Sequence, residues 1–445
     1  MLYGLYRIFG TALFFLIQPM ARLFIFLSPR KGHGLRERLG QAELGWLRTN
    51  AGLPRVWIHA ASVGEVNAAL ILIEELTRRG SPVDIVLTTM TVAGLDVARQ
   101  RLPPQTGSFL APLDVVRVVR RVLSRVRPAL YVCLEAELWP AMLVELRRAD
   151  IPMVLLNGRM TARSYDRYRL AGDLIQPLLQ GFAEVAAIRE EDAARYVGLG
   201  VAPARVQVTG NVKFAFPPED IQAIRSLYRN RLGVDQTAVF LCGSTRSGEE
   251  RLLAGVYKAL LEKDGRELLW VVAPRHLRRL AEVKALLLEL RLDFDLYSEL
   301  ADTRRRRNVV LVDSLGELAR IYSAGDYNFV GGSLVGRGGH NIMEPVRWGR
   351  PVYYGPHIDD FKDAAHILED AGAGFRVADA GQLLAQIERH MNDSAAYEQA
   401  CAGAESVMAG QQGVAARQVE IIMRQLARRS EKEQDNNRYE SSNRP

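Results

Sequence analysis

Cysteine is scarce in this chain of 445 residues: Cys133, Cys242 and Cys401 stand far apart, and no C-x-x-C spacing occurs. Neither a zinc ribbon nor a disulfide framework is signalled. A reducing, cytoplasmic environment is the default for the folded part. No Walker spacing is present, so ATP hydrolysis is not indicated. Acidic residues are in slight deficit, 51 against 58 Lys and Arg, for a formal charge of +7. That balance suits an anionic partner, whether nucleic acid, a phosphorylated lipid or a membrane surface. The longest cationic run, Arg304 to Arg307, carries no interleaved aromatics, which argues against a single-strand nucleic-acid platform. No recognition motif accompanies the charge, so nucleic acid is not an expected partner.

What the chain does have begins at its amino terminus. Residues 2–27 are largely apolar and aromatic, interrupted by Arg7, Gln18, Pro19 and Arg22. The charge-free run from Ile8 to Ala21 is shorter than the ~20 residues a spanning helix needs. Extension to Leu27 reaches that length if Arg22 snorkels toward the headgroups. No small-residue cleavage motif follows, and Arg30, Lys31, Arg36 and Arg38 come next, which favours a cytoplasmic location for the rest. The expectation is a membrane anchor over residues 1–30, spanning or in-plane. A buried core helix is the alternative.

Beyond it, short apolar runs alternate with helix-period segments. Val56–Ala60, Asp84–Thr88, Ala129–Leu134, Met153–Leu156, Val185–Ile188 and Val206–Thr209 form one series of strands. Val239–Cys242, Leu268–Val272, Val309–Val312, Tyr327–Val330 and Pro351–Tyr354 form a second. Such alternation predicts βαβ units and parallel sheets. The expected organisation is two Rossmann-like domains facing across a cleft, residues 31–213 and 220–429. A linker over 214–219 joins them, and a polar, disordered tail covers 430–445.

Ligands of open parallel sheets bind beyond the carboxyl ends of the strands, and several polar motifs fall there. In His59-Ala60-Ala61-Ser62-Val63-Gly64-Glu65, Ser62-x-x-Glu65 is a capping box. Glu65 equally suits a general base, kept ionised by the helix dipole. Glu135-Ala136-Glu137 places two carboxylates after a strand, as a salt-bridged loop or as reactive groups. Lys213, in Gly210-Asn211-Val212-Lys213-Phe214, is solvated or reaches into the cleft. Ser244 and Thr245 open a helix and suit a phosphate or a cap. Arg275, after Pro274, could grip a phosphate through two charge-assisted hydrogen bonds. The glycine-rich segment from Gly331 to Asn341 lets main-chain amides touch a phosphate, with Gly338, Gly339 and His340 as candidates. Glu344 could accept hydrogen bonds from ribose hydroxyls. Asp293-Phe294-Asp295 fits a D-x-D metal pattern, but alternation on a strand explains it more simply, and no metal or cofactor is expected.

Together HAASVGE, EAELWP, GNVKF, GSTRSGEE, PRH, SLGEL and GGSLVGRGGHNIMEP, followed by Tyr354-Gly355-Pro356-His357, resemble the 3-deoxy-D-manno-octulosonic acid (Kdo) transferases of lipopolysaccharide synthesis. They occur in that family's order from His59 to Asp363. The resemblance implies a GT-B fold, CMP-Kdo as donor and a lipid A precursor (lipid IVA) as acceptor. It also implies residence at the inner membrane, with the catalytic domains on the cytoplasmic face. Glu65 matches the family's proposed general base. Glu135 and Lys213 match positions thought to support the transition state. Pro274, Arg275, Leu315, Gly316, Glu317, Asn341, Ile342, Met343 and Glu344 match the CMP contacts. Arg246 stands where the family usually has His, and Gly336 and Ile342 where Pro is common. By residues alone, another GT-B nucleotide-sugar enzyme and a non-catalytic membrane-bound nucleotide or lipid binder stay open.

Overall fold

The computed structural model describes residues 34–42, 52–103, 106–216, 219–264, 267–301 and 303–442. Ahead of them it describes positions 3, 4, 6–8, 10–12, 14–16 and 19. The chain divides into two compact units, Met1–Ala215 with Gly413–Pro445, and Phe216–Gln412.

In the first unit seven strands form one sheet: β1 (Arg55–His59), β2 (Asp84–Thr89), β3 (Gly107–Leu110), β4 (Leu130–Leu134), β5 (Met153–Gly158), β6 (Glu184–Ala187) and β7 (Val206–Val208). Their order is β3-β2-β1-β4-β5-β6-β7, and every pair is parallel. The apolar runs are continuous because both faces are covered. Trp57 and Tyr131 serve one core, while Val56, Ile58 and Val132 serve the other.

The second unit repeats the plan with β8 (Ala238–Thr245), β9 (Leu268–Pro274), β10 (Asp295–Leu296), β11 (Val309–Leu311), β12 (Tyr327–Val330), β13 (Val352–Tyr354) and β14 (Gly374–Arg376). Their order is β10-β11-β9-β8-β12-β13-β14, again parallel throughout. Two parallel-sheet α/β units are therefore present, as the alternation predicts. The strands not expected, β3 and β14, are both sheet edges and short, with little apolar sequence to signal them; the strand expected around Asp293–Asp295 is β10, which begins only at Asp295.

The expected domain limits need correction at the carboxyl end. The second unit ends at Gln412 rather than residue 429. The helix Val414–Ser442 returns to the first unit. The reason is apolar burial: Val414, Val419, Ile421, Ile422 and Leu426 complete the core beneath β1 and β4. Its polar flank adds Arg424 on Glu184 at 3.0 Å and Lys432 on Asp150 at 2.5 Å. Residues 430–442 thus continue a docked helix instead of forming a disordered tail. Of the expected 214–219 linker, Pro217 and Pro218 lie outside the described residues.

The expected anchor lies partly outside the described residues as well, since nothing from 20 to 33 is described. Among the described residues, no helix is long and apolar enough to cross a membrane. Phe14 packs on Leu39 and Val118, while Ile8, Phe15 and Leu16 are exposed.

Candidate active site

In the first sheet, β1 and β4 are neighbours from which the connections run in opposite directions. Their carboxyl ends open the crevice where such sheets bind ligands. Ala60-Ala61-Ser62 leaves β1 there, and Glu135-Ala136-Glu137 leaves β4.

Ser62 is the N-cap of the helix Val63–Arg78, its hydroxyl accepting the Glu65 N–H at 3.3 Å. The Glu65 carboxylate turns back, accepting the Ser62 hydroxyl at 2.9 Å and the Ala61 N–H at 2.8 Å. Small side chains at Ala60 and Ala61 let it fold under the turn. The cap and the site are therefore one structure. Glu65 is only 5% exposed. Burial, reinforced by the charge of Glu135, raises its pKa to about 7, and the hydrogen bonds from Ala61 and Ser62 only partly oppose this. Burial and the charge of Glu135 thus work against the ionised form that the helix N-terminus favours. A carboxyl poised near neutrality is what general-base catalysis favours.

Glu135 adopts φ 56°, left-handed for a residue with a side chain, and such outliers concentrate at functional sites. Its N–H is held by the Leu156 carbonyl at 2.9 Å, and its carboxylate is ion-paired with Lys213. Glu137 bonds the Trp139 indole at 3.0 Å, and burial raises its pKa. Lys213 reaches this group because Asn157, buried at the end of β5, accepts the Val212 N–H at 2.9 Å. Asn211 then caps the same short turn through the Lys213 N–H at 3.0 Å. The structure thus brings Glu65, Glu135 and Lys213 together. Asn157 was not anticipated; its signal is a polar Asn-Gly pair directly after a buried apolar strand.

Thr88 with His59, and Asp114, support this end of the sheet. The Thr88 hydroxyl lies 3.1 Å from His59 Nδ1 and accepts from the Trp57 indole at 2.8 Å. Burial lowers the His59 pKa to about 4, so the ring is neutral. Asp114 accepts the Ala141 and Met142 N–H groups at 2.9 and 2.8 Å, capping the Pro140–Arg148 helix that Trp139 leaves uncapped.

In the second unit the corresponding reversal falls between β8 and β12. Their ends approach closely: a Cβ on Gly331 would meet the Thr245 Cα at 2.6 Å, so only glycine fits. Ser244 is forced to φ 56° beside a bulge at Gly243/Thr245. The glycine-rich turn departs from expectation. The Glu249 carboxylate, fully buried at the start of the helix Glu249–Asp264, accepts Gly332 and Arg246 N–H at 2.6 and 2.9 Å on one oxygen. Its other oxygen accepts Ser333 and Leu334 at 3.0 and 2.9 Å. An internal carboxylate, not a ligand phosphate, therefore occupies the amides at the start of the turn. The Thr245 hydroxyl is likewise engaged, donating to Glu250 at 2.8 Å. Gly338 and Gly339 are left-handed, and Gly339 N–H bonds the Gly332 carbonyl at 2.9 Å.

What remains for an anion is a set of cations. Arg246 has Arg275 and Arg337 as electrostatic neighbours, and burial with their charge lowers its pKa. Its Nη1 lies 2.7 Å from His276 Nε2. His340 is held neutral, its pKa lowered to about 4 by burial and by Arg275 and Arg246. Arg275 is exposed. Crowded guanidinium groups are relieved by a bound anion, which they hold with charge-assisted hydrogen bonds.

The other candidates flank that set. Pro274 ends β9 and is buried. Leu315 is 74% exposed, Gly316 is left-handed, and Glu317 pairs with Arg231 at 3.3 Å. Asn341 Oδ1 accepts the Met343 N–H at 3.1 Å. Ile342 and Met343 point into the core, so their side chains are not available to a ligand. Burial raises the pKa of Glu344, opposed by Arg275 and Arg347. Asp293 pairs with Arg307 at 3.0 Å, and Asp295 accepts the Arg306 and Arg307 N–H groups at 2.7 and 2.8 Å. The D-x-D pair is thus engaged by the Arg306–Arg307 segment that precedes β11.

Residues 33–216 match the family model described as 3-Deoxy-D-manno-octulosonic-acid transferase (kdotransferase). A 3-deoxy-D-manno-octulosonic acid transferase of Haemophilus influenzae is 31% identical over 91% of this chain and 95% of that protein. A bifunctional glycosyltransferase/methyltransferase of Fusobacterium nucleatum is 31% identical over 77% of this chain, which spans 54% of that longer protein. Among solved structures, a UDP-GlcNAc 2-epimerase of Neisseria meningitidis superposes with a TM-score of 0.53 at 14% identity, over 83% of this chain and 100% of that one; this likeness concerns the fold alone. With the motif order, the carboxylate-lysine group after β1 and β4, and near-complete mutual coverage at this identity, the chain belongs to the 3-deoxy-D-manno-octulosonic acid transferases, a family of glycosyltransferases.

Proposed function

We propose that this chain transfers Kdo from CMP-Kdo to a hydroxyl of a lipid A precursor by direct, inverting displacement, with Glu65 as the general base. The observation that carries this is the Glu65 carboxyl, held under a helix N-terminus with its pKa raised to about 7, beside the Glu135–Lys213 pair. A sugar hydroxyl is a poor nucleophile, so its proton must leave as the new bond forms. Glu65 accepts that proton. The bond between the anomeric carbon and the CMP phosphate oxygen breaks, and the electron pair leaves with CMP. Arg275, with Arg246 beside it, stabilises the charge developing on that phosphate. Lys213 offsets the negative charge of the neighbouring carboxylates. Pro274, Leu315, Gly316, Glu317 and the Asn341–Glu344 segment hold the rest of CMP, with Ile342 and Met343 acting through their main chain.

We place the protein at the cytoplasmic face of the inner membrane, attached in the plane of the interface. The exposed Ile8, Phe15 and Leu16 support this, since apolar side chains of this kind enter the headgroup boundary. No metal requirement is expected, because arginine charge can serve the leaving group.

The test is incubation with CMP-Kdo and a tetra-acylated lipid A precursor, with and without EDTA, followed by mass spectrometry. Addition of Kdo mass in both arms is expected. Intact lipid under both conditions, with a well-folded protein, overturns the transfer. Loss in EDTA restored by magnesium overturns the metal-free mechanism.

A further inference from the structure

The described residues between 3 and 16 are helical, and they sort into two faces. Tyr3, Tyr6 and Phe14 turn inward. Tyr3 and Tyr6 pack against the first core, and Phe14 is buried against Leu39 and Val118. The Tyr6 hydroxyl donates to Asp114 at 2.7 Å. Ile8, Ala12, Phe15 and Leu16 turn outward at spacings of four, three and one, the stripe of an amphipathic helix. All four are exposed, and Leu16 is 76% so. Packing within the first unit accounts for the inner face and leaves the outer one without a role. Charge says what covers it. No carboxylate occurs before Glu37, whereas Arg7 is exposed on the helix. Arg117 lies over the Phe15 ring at 5.7 Å. Its own helix, Val116–Val126, contains arginines but no carboxylate. An apolar stripe with a cationic margin is the pattern of a helix lying in the headgroup region of an anionic leaflet.

The docking contacts fix where that leaflet lies. Asp114, which receives Tyr6, also caps the Pro140–Arg148 helix, and that helix follows the Glu135–Glu137 turn. Arg117 and Val118 belong to the first turn of the helix that follows β3. Both helices start beyond the carboxyl ends of their strands, the end of the sheet that carries Glu65 and Glu135. We infer that Ile8, Ala12, Phe15 and Leu16, with Arg7 and Arg117 at their margin, rest on an anionic leaflet. The Tyr6–Asp114 bond holds this leaflet at the reacting end of the first sheet. The lipid acceptor then presents its hydroxyl to Glu65 while its acyl chains stay in the membrane. This deepens the in-plane attachment proposed above; it rests on the proposed function for the identity of the acceptor, but not for the membrane contact.

The test uses the full chain with vesicles of phosphatidylcholine, alone or with phosphatidylglycerol added. Ile8→Ser/Phe15→Ser/Leu16→Ser changes only exposed side chains, and an unchanged melting temperature verifies the fold. Its partitioning into both vesicle types should fall ~100-fold or more, from the lost apolar burial. Arg7→Ala/Arg117→Ala should lose about 10-fold or more on anionic vesicles and little on neutral ones. Transfer to acceptor embedded in vesicles should fall in the serine variant, while transfer to detergent-dispersed acceptor holds. Cys133, Cys242 and Cys401 are buried, so a fluorophore can be directed to Ala12→Cys or to Glu431→Cys. Glu431 adjoins the Lys432–Asp150 pair at the opposite end of the sheet. A lipid-borne quencher should darken the first probe and spare the second. Should the serine variant misfold, this quenching alone decides. Unchanged partitioning of the serine variant, equal losses of the arginine variant on both vesicle types, or quenching at position 431 overturns the inference. So does a lipid-free wild-type dimer that the serine variant splits without losing vesicle binding, since the stripe would then seat a second copy. The expected partitioning and quenching without any transfer indicts the proposed function and supports this surface.

Discussion

Lys213 is ion-paired with Glu135 although 78 positions of sequence separate them. The pair stands beside Glu65, whose pKa Glu135 raises. Removing the cation leaves that negative charge uncompensated and makes ionisation of Glu65 harder. Lys213→Met should therefore shift the acidic limb of the pH–rate profile to higher pH, with CMP affinity nearly unchanged. A profile that stays in place would show that Lys213 does not bias Glu65.

Glu65 itself separates cap from base. In Glu65→Gln the amide oxygen can still accept the Ala61 N–H, and the amide nitrogen can donate to Ser62, so the melting temperature should barely move. Transfer should fall ~10²–10⁴-fold, because the proton acceptor is gone. More than about a tenth of the wild-type rate, far above that range, would pass the role to Glu135 or Glu137.

The pH dependence of the wild-type enzyme follows from the same group. The base acts when deprotonated, and its pKa is raised to about 7. Activity should climb as pH rises through neutrality and level off above it. A rate already at its plateau near pH 5, the range of an unperturbed carboxyl, would contradict a raised Glu65.

Arg275→Ala should weaken CMP binding by ~1.5–3 kcal/mol, the range for a hydrogen bond to a charged group. Isothermal calorimetry measures it directly. An unchanged affinity would remove Arg275 from the phosphate site.

Glu249→Gln probes the buried carboxylate under the glycine turn. Each oxygen accepts two main-chain N–H groups, so an NH₂ on either side faces donors only. Stranding buried donors costs ~1–3 kcal/mol, and thermal unfolding of the second unit should occur at lower temperature. The donor KM should rise with it. A wild-type melting curve would show that the turn holds its shape without that charge.

Much of the architecture was decided locally. Continuous apolar runs such as Val56–Ile58 and Leu268–Val272 are legible as buried parallel strands because no solvated face interrupts them. Ser62, Glu65, Glu135 and Lys213 were legible because each is a polar residue directly after such a strand or at the end of the series. Edge strands β3 and β14 were not, since an edge needs few apolar residues. Tertiary structure alone decided three things. It raised the Glu65 pKa to about 7, because burial and the charge of Glu135 act on a carboxyl whose local sequence displays only a helix start. It gave the amides of Gly332, Ser333 and Leu334 to Glu249, a residue 83 positions away from the first of them. And it returned the carboxyl-terminal helix to the first unit, because the apolar stripe of Val419, Ile422 and Leu426 says only that a face must be buried, not against which sheet.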